Sequence, residues 1–360
     1  MLPANGFALV CERLEQLPHL LAGQLSAPYP SLPPDEARRI RERGVWATGA
    51  GSSEAAARLL VQRLQRAGIP AAFHPLSRFY STPAPLPDPA PYLAVFSQGL
   101  SPNAGIPLYH RQLFSGLILF TAATPEGQRA AGKTDRADLL SSLDHENALI
   151  LTHPLENEYT LLPRFIGPVC VLLAVCRFCE DLLPGSLGGP GALDGLPALF
   201  SKPFSFENPA DWLADLQKGV SFYFTNDCAE AAQNLSYKCM ETFMLPPPAL
   251  VDALSYAHGR FQRDCAAPGA RWIFTTGHPN EQDLLHRLAP LFEHCGGFRE
   301  IRAALPPPLA LFEYEAFLNA LCKSLLQTVP VDLVDWPGKG GDGPGYTLST
   351  PGLSAKGDTP

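Results

Sequence analysis

Apolar positions along the chain follow two rhythms, and the changes between them mark out the elements. Residues 1–25 carry Leu9, Val10, Leu14, Leu17, Leu20 and Leu21 at the spacing of one helix face. SAPYPSLPP breaks that pattern, and Glu36 to Arg43 reads as a short polar helix. Val45 to Thr48 then reads as a buried strand, Gly49 to Ser53 as a glycine-rich turn and Glu54 to Ala67 as an amphipathic helix, which Gly68 and Pro70 end. Ala71 to His74 is a second strand, followed by the proline-rich STPAPLPDPAP. YLAVFSQGLSPNAG repeats the order of strand, tight turn and helix start. Residues 116–122 and 148–153 read as buried strands, and Leu161 to Leu182 as an apolar helix.

The glycine- and proline-rich stretch 183–197 is the best linker, and after it the pattern begins again. Strands are expected over 220–226 and 270–277, the latter ending in a turn. Helices are expected over Glu230–Phe243, Ala249–Arg263, His278–His294 and Phe312–Thr328. Short apolar runs alternating with helical stretches predict an α/β protein with parallel sheets. The reading divides the chain into a helical lead-in (1–40), two α/β domains (41–190 and 191–337) and a tail (338–360) that is either disordered or an ordered lid.

The restart is a repeat. Glu54-Ala55-Ala56 returns as Glu230-Ala231-Ala232 after 176 residues, and Pro102-Asn103 returns as Pro279-Asn280 after 177. Val95-Phe96-Ser97-Gln98-Gly99 is matched by Ile273-Phe274-Thr275-Thr276-Gly277 after 178. Three landmarks within two residues of one offset point to a duplicated unit.

Composition narrows the function classes. A net charge of −8 argues against an electrostatic grip on nucleic acid. No apolar run is long enough for a membrane span, and the start lacks the features of a signal peptide. Nine cysteines are an odd count, the closest pair being Cys176 and Cys179 (CRFC) in an apolar stretch, and suggest reduced thiols and a cytoplasmic protein. No HxH or HExxH spacing exists, so no metal is expected. Of the 38 prolines, clusters at 28–34, 82–91, 246–248 and 306–308 fall between the expected elements.

Two turns carry candidate chemistry. GAGSSEAA sets glycines and hydroxyls between a strand and a helix, where free N–H groups and the helix dipole favour anions. Its plain alternative is a serine helix cap. Neither the dinucleotide fingerprint nor the Walker lysine is present. FSQGLSPNAG has the same logic, with Ser97, Gln98 and Ser101 around Gly99. In an open α/β sheet both turns belong at the carboxyl ends of strands, where ligands sit.

The order strand–GxGSS–helix, strand–SQGxSPN and a second copy resembles the double sugar-isomerase (SIS) domain. That family includes the isomerase half of glucosamine-6-phosphate synthase and the fructosamine-phosphate deglycases. The resemblance spans residues 40–340 and implies two tandem three-layer αβα sandwiches with parallel sheets, N-terminal helices and an irregular C-terminal tail. It implies that Gly51, Ser52, Ser53, Ser97, Gln98 and Ser101 hold a sugar or sugar phosphate. The family loop reads SxSGxS; here Phe96 and Gln98 stand at two of its serines, so a non-phosphorylated substrate is also compatible.

The second copy contains Lys238 and Glu241, three apart, and His258 followed by Gly259. Aminosugar isomerases carry a similar KxxE followed by HisGly. By that resemblance Glu241 shuttles a proton between C1 and C2, and His258, supplied by a partner subunit in a homodimer, opens the sugar ring. The chemistry suits the residue types. A buried carboxylate with a raised pKa can serve both carbons, and His titrates near neutrality. The plain alternatives are a solvated ion pair for Lys238 and Glu241 and a helix-terminal role for His258. Glu156, near Glu158 and His153 after a strand end, matches a glutamate of single-domain relatives; a solvated loop charge is its alternative. The tail, with Asp335-Trp336-Pro337 and then Lys339, resembles the lysine-bearing closing segment of the family, and Lys356 competes for that role. The implied activity is aldose–ketose isomerisation or cleavage of a sugar–amine adduct through an enediol or enolamine, with no cofactor. The alternative is a non-catalytic sensor of a sugar phosphate.

Overall fold

The computed structural model describes residues 4–80, 86–143, 148–153, 155, 158–189 and 191–346. The fold is α/β, with two parallel sheets flanked by helices, as the sequence pattern predicts. The chain forms two compact units. One comprises Ser26–Glu156, Cys170–Pro190 and Pro337–Pro360 and holds the first sheet; the other comprises Met1–Leu25, Asn157–Val169 and Gly191–Trp336 and holds the second.

In the first-sheet unit the strands are β1 (Val45–Gly49), β2 (Ala71–Phe73), β3 (Tyr92–Phe96), β4 (Leu117–Thr121) and β5 (Ala148–Thr152), in the order β2-β1-β3-β4-β5. β3 and β4 are buried along their whole length, which explains their unbroken apolar sequence. Leu93, Val95, Leu117 and Leu119 pack on one side against Leu100, Ile106, Leu108, Leu140 and Leu143. On the other side Phe96 stacks on Phe120 at 4.4 Å, and Phe178 meets Phe120 edge-on at 5.7 Å.

The second-sheet unit contains β6 (Val220–Phe224), β7 (Ala249–Asp252), β8 (Ala270–Thr275) and β9 (Arg299–Arg302), in the order β7-β6-β8-β9. Tyr223, Val251 and Ile273 face Tyr256, Leu285 and Phe292. Phe222 and Trp272 stack at 5.2 Å, Trp212 meets Trp272 at 4.9 Å and Phe274 meets Tyr314 at 5.0 Å. The N-terminus joins this unit by backbone pairing: Ala4 N–H donates to Leu326 O, Asn5 N–H to Val331 O, and Leu333 N–H to Asn5 O.

Several expectations change. The stretch expected as one helix over 249–263 is β7, a 3₁₀ turn (Ala253–Ala257) and the helix Arg260–Ala266. Leu250 and Val251 register with Phe222 and Tyr223, so the stretch gains hydrogen bonds as an edge strand that a helix would not offer β6. The apolar helix begins at Gly167 rather than Leu161. β9 and the helices Thr134–Leu143 and Pro209–Lys218 have no counterpart in the sequence reading. Among the described residues no helix is long and apolar enough to cross a membrane.

A buried ion pair ties helix to sheet in the second-sheet unit. Arg271, in β8, donates to Asp264 Oδ2 at 2.9 Å and to the carbonyl oxygens of Gly297 and Cys295. Tyr256 Oη also meets Asp264, at 3.3 Å. Replacing Arg271 by Leu removes the buried cation of Asp264 and leaves its carboxylate only the exposed Arg263, at 3.2 Å. We expect a loss of about 3–5 kcal/mol in a urea titration.

Candidate functional site

The order β2-β1-β3-β4-β5 puts the point where winding reverses between β1 and β3, the place where open α/β sheets bind ligands. Both serine turns lie there. Gly49 ends β1 so close to β3 that an added Cβ would meet Ser53 O at 2.9 Å and Phe96 Cβ at 3.1 Å. Gly51 sits at φ +59°, with open space where its Cβ would be. These glycines let the chain turn directly into the helix Ser52–Arg66, with Ser52 and Ser53 half-buried in its first turn.

After β3 the second turn is held from several sides. The Ser101 N–H donates to Ser97 Oγ at 3.3 Å, Thr121 Oγ1 donates to Gln98 O at 3.3 Å, and Arg136 donates to Gly99 O at 3.0 Å. Leu100 adopts φ +49°, a left-handed conformation rare for a branched side chain. Ser101 stands just before the helix Pro102–Tyr109 without a side-chain hydrogen bond to it, and Asn103 donates to Gly345 O at 3.1 Å, so the tail is tied to this turn. Lys339 is exposed in that tail. Thr48 Oγ1, buried in β1, has no hydrogen-bond partner among the described residues.

The second sheet winds the same way, but the corresponding place is filled by the chain itself. Glu281 Oε2 accepts from Thr225 Oγ1 at 2.8 Å and from the Thr276 N–H at 2.6 Å; its Oε1 accepts from Thr276 Oγ1 at 2.8 Å. A carboxylate therefore occupies the donors at the ends of β6 and β8. The crevice of the first sheet presents uncharged hydroxyls and glycines instead.

Lys238 and Glu241 share the helix Gln233–Phe243, and their fates differ. Lys238 is 1% exposed, and its ammonium pairs with Glu315 Oε2 at 2.5 Å and also donates to Asn319 Oδ1. Asn234 donates to the other Glu315 oxygen at 2.6 Å. Lys238 is thus not the solvated partner of Glu241 that its spacing allows. Glu241 is half-buried and accepts no hydrogen bond among the described residues. Burial pushes its pKa up to about 7; the charges of Arg164 and Lys238 pull it down, and Glu158 adds to the rise.

Glu158 itself is fully buried, not a solvated loop charge. Its carboxylate accepts the N–H groups of Phe165, Ile166 and Gly167 at 2.5, 2.7 and 3.0 Å. Those are the donors a helix leaves unpaired at its start, so the carboxylate sets the helix to begin at Gly167. Arg164 donates to the carbonyl oxygens of Glu158 and Leu161 and lies 4.6 Å from the Tyr159 ring. Sequence reasoning missed Arg164, Glu315, Asn319 and Arg136. The contacts of Glu315 and Asn319 with Lys238 span 77 and 81 residues, beyond any local signal.

The remaining candidates are dispersed. His258 is exposed at the end of the 3₁₀ turn, with no hydrogen bond to Lys238 or Glu241. Glu156 and Lys356 lie outside the described residues. Gly51, Ser52, Ser53, Ser97, Gln98, Ser101 and Lys339 belong to the first-sheet unit, and Lys238, Glu241 and His258 to the second. His153, just after β5, is buried, and both its ring nitrogens lack a partner among the described residues. Among those residues no group of three or more His, Cys, Asp or Glu is placed to hold a metal ion.

No protein-family model and no curated protein matches the chain. Solved structures do share its fold. The C-terminal domain of glucosamine-fructose-6-phosphate aminotransferase from Francisella tularensis aligns at a TM-score of 0.67 and 12% identity, covering 90% of this chain and 97% of that one. Tagatose-6-phosphate ketose/aldose isomerase from Escherichia coli aligns at 0.59 and 14%, covering 91% and 95%. Glucosamine-6-phosphate deaminase from Thermotoga maritima aligns at 0.60 and 15%, covering 91% and 96%. At these identities the likeness shows the fold.

Two outcomes follow from the buried groups. Lys238→Met leaves Glu315 without its cation and is expected to cost about 3–5 kcal/mol in urea; adding Glu315→Leu is expected to recover most of that loss. Burial lowers the His153 pKa from 6.5 to about 4. The unfolded chain therefore takes up this proton first, and stability falls as pH drops from 6.5 towards 4. Urea midpoints over that interval are expected to fall less steeply in His153→Phe.

Proposed function

We propose that this chain is a sugar or sugar-phosphate enzyme that moves a proton between C1 and C2, as an aldose–ketose isomerase or a sugar–amine deglycase. The observation that carries this reading is Glu241: a half-buried carboxylate, poor in donors, with a pKa near 7. Such a group can take a proton at C2, leaving an enediol or enolamine, and return it at C1. Lys238 is a positioning residue in this scheme, because its ammonium is engaged by Glu315 and acts on Glu241 through charge alone. The solved structures of the same fold are named for sugar 6-phosphates, which supports this substrate class. Separately, within the first-sheet unit, the crevice between β1 and β3 is suited to a phosphate or hydroxyls, through the Ser52–Arg66 helix start, Ser97, Gln98 and Ser101.

Identical winding of the two sheets supports reading them as a duplicated unit. The carboxylate that fills the second crevice supports assigning the ligand to the first. His258 is exposed, so a second copy of the chain in a homodimer could receive it as the ring-opening acid and base. Lys339 would close over the ligand with the tail that Asn103 anchors. One observation favours a second reading, a sensor without turnover: the buried engagement of Lys238 leaves its ammonium no direct role on substrate.

Exchange of the transferred proton for deuterium, at C2 of an aldose or C1 of a ketose, separates the two. With glucosamine 6-phosphate, read at C2, and fructose 6-phosphate and a fructosamine phosphate, read at C1, NMR is expected to detect exchange whose rate rises with pH through about 7, as Glu241 ionises. Glu241→Gln is expected to slow it about 10²–10⁴-fold with sugar binding retained. Binding without exchange in the wild type would establish the sensor instead.

A further inference from the structure

The second-sheet unit contains a cavity of about 680 Å³ that the reading above does not use. It lies between the helices Phe7–Ser26 and Ala310–Leu326 and the segment 200–206. Its volume is in the range of small-molecule pockets, about 300–1,000 Å³. One face of the Ala310–Leu326 helix forms a wall through Ala316, Asn319, Ala320 and Lys323. That spacing of three and four residues places all of them on one stripe. Alanines at two of the positions leave room that larger side chains would fill. Phe200, Phe204 and Phe206 line the cavity from the 200–206 segment.

The polar groups are the informative part. Asn319 is 3% exposed and lines the cavity. Its Oδ1 accepts from Lys238, while its Nδ2 is buried with no partner among the described residues. An amide N–H₂ left in this way costs free energy unless something accepts from it. One turn on, Lys323 makes no ion pair among the described residues. Lys202 and Glu15 also line the cavity, so two ammonium groups stand against one carboxylate, a balance that suits an anionic group. The aromatic side chains suit an apolar body.

We propose that this cavity is a binding site for a small organic anion with an aromatic or acyl body, its charged group on Lys323. The inference uses neither Glu241 nor turnover, so it stands or fails apart from the proposed reaction. Because Asn319 also holds Lys238, an occupant would bear on the helix that carries Glu241.

The test is calorimetric titration of the full chain with 1-naphthoate, octanoate and phenyl phosphate, and with uncharged 1-naphthalenemethanol. We expect saturable binding of at least one anion at one site per chain. Lys323→Ala should weaken it about tenfold, the effect of one charge-assisted contact. Ala320→Trp should abolish it by filling the cavity, and Lys323→Arg should retain it. Circular dichroism checks that each variant is folded. The proposal is overturned if no anion binds saturably, if the alcohol binds as well, or if Lys323→Ala and Ala320→Trp leave affinity unchanged.

A different observation carries a second inference. Cys265, exposed in the helix Arg260–Ala266, and Cys295, buried at the end of the helix Pro279–His294, bring their Sγ atoms within 3.2 Å. We infer that a two-electron oxidant such as hydrogen peroxide links them. The two thiols lose two protons and two electrons to form one S–S bond, and the peroxide is reduced to two waters. After mild peroxide treatment, the intact mass is expected to drop by two hydrogens and the peptides holding Cys265 and Cys295 to appear joined. A reductant should reverse the change, and Cys265→Ser should prevent it. An unchanged mass, or a different pair of linked cysteines, would overturn the inference.

Discussion

Charge that leaves water must find a partner, and the second-sheet unit is organised around that demand. Glu158 takes three backbone N–H groups, Glu281 takes two hydroxyls and an amide, Asp264 takes Arg271, and Glu315 takes Lys238 and Asn234. Each carboxylate meets donors matched to its oxygens. Glu241 stands among them without such donors. Its proton affinity is raised chiefly by burial, while the charges of Arg164 and Lys238 lower it and Glu158 adds to the rise. A base near neutrality arises here because a carboxylate is buried without the donors that its neighbours have.

The two sheets share a winding order and differ in what occupies the reversal between their first and third strands. In the second sheet a glutamate from the following helix reaches back and fills the position. In the first, small residues keep it open: Gly49 for close approach, Gly51 for a left-handed turn, and serines in place of longer side chains. The strained backbone at Leu100 belongs to that open crevice and is held there by Ser97, Arg136 and Thr121. Ordering by side chains that touch the loop but not its mouth is the arrangement expected where a backbone must be fixed before a ligand arrives.

Much of this was legible in the chain. Fully buried parallel strands announce themselves as unbroken apolar runs, and Leu93–Val95 and Leu117–Phe120 did so. The glycine–serine turns were legible because a strand-to-helix turn restricts its residues sharply. β9 was not, since Arg299, Glu300 and Arg302 place charge on an edge strand with one buried side chain, Ile301. The stretch 249–263 misled because Ala, Leu and Tyr suit helices as well as edge strands, and only the exposed edge of β6 decides between them. In the site, the spacing of Lys238 and Glu241 was visible on one helix. That they would be pulled apart electrically was not, because Glu315 and Asn319 arrive from a helix formed much later in the chain.

That late arrival has a consequence for biosynthesis. Ala4 and Asn5 take their backbone partners from Leu326, Val331 and Leu333. Residues 4 and 5 thus leave the ribosome some three hundred residues before the segment they pair with. The Ser26–Glu156 segment, by contrast, carries all five strands of its sheet and can pair them as soon as it is released. Vectorial synthesis therefore imposes an order: the first sheet closes early, while the second waits for its own beginning and end to meet, a closure over some three hundred residues.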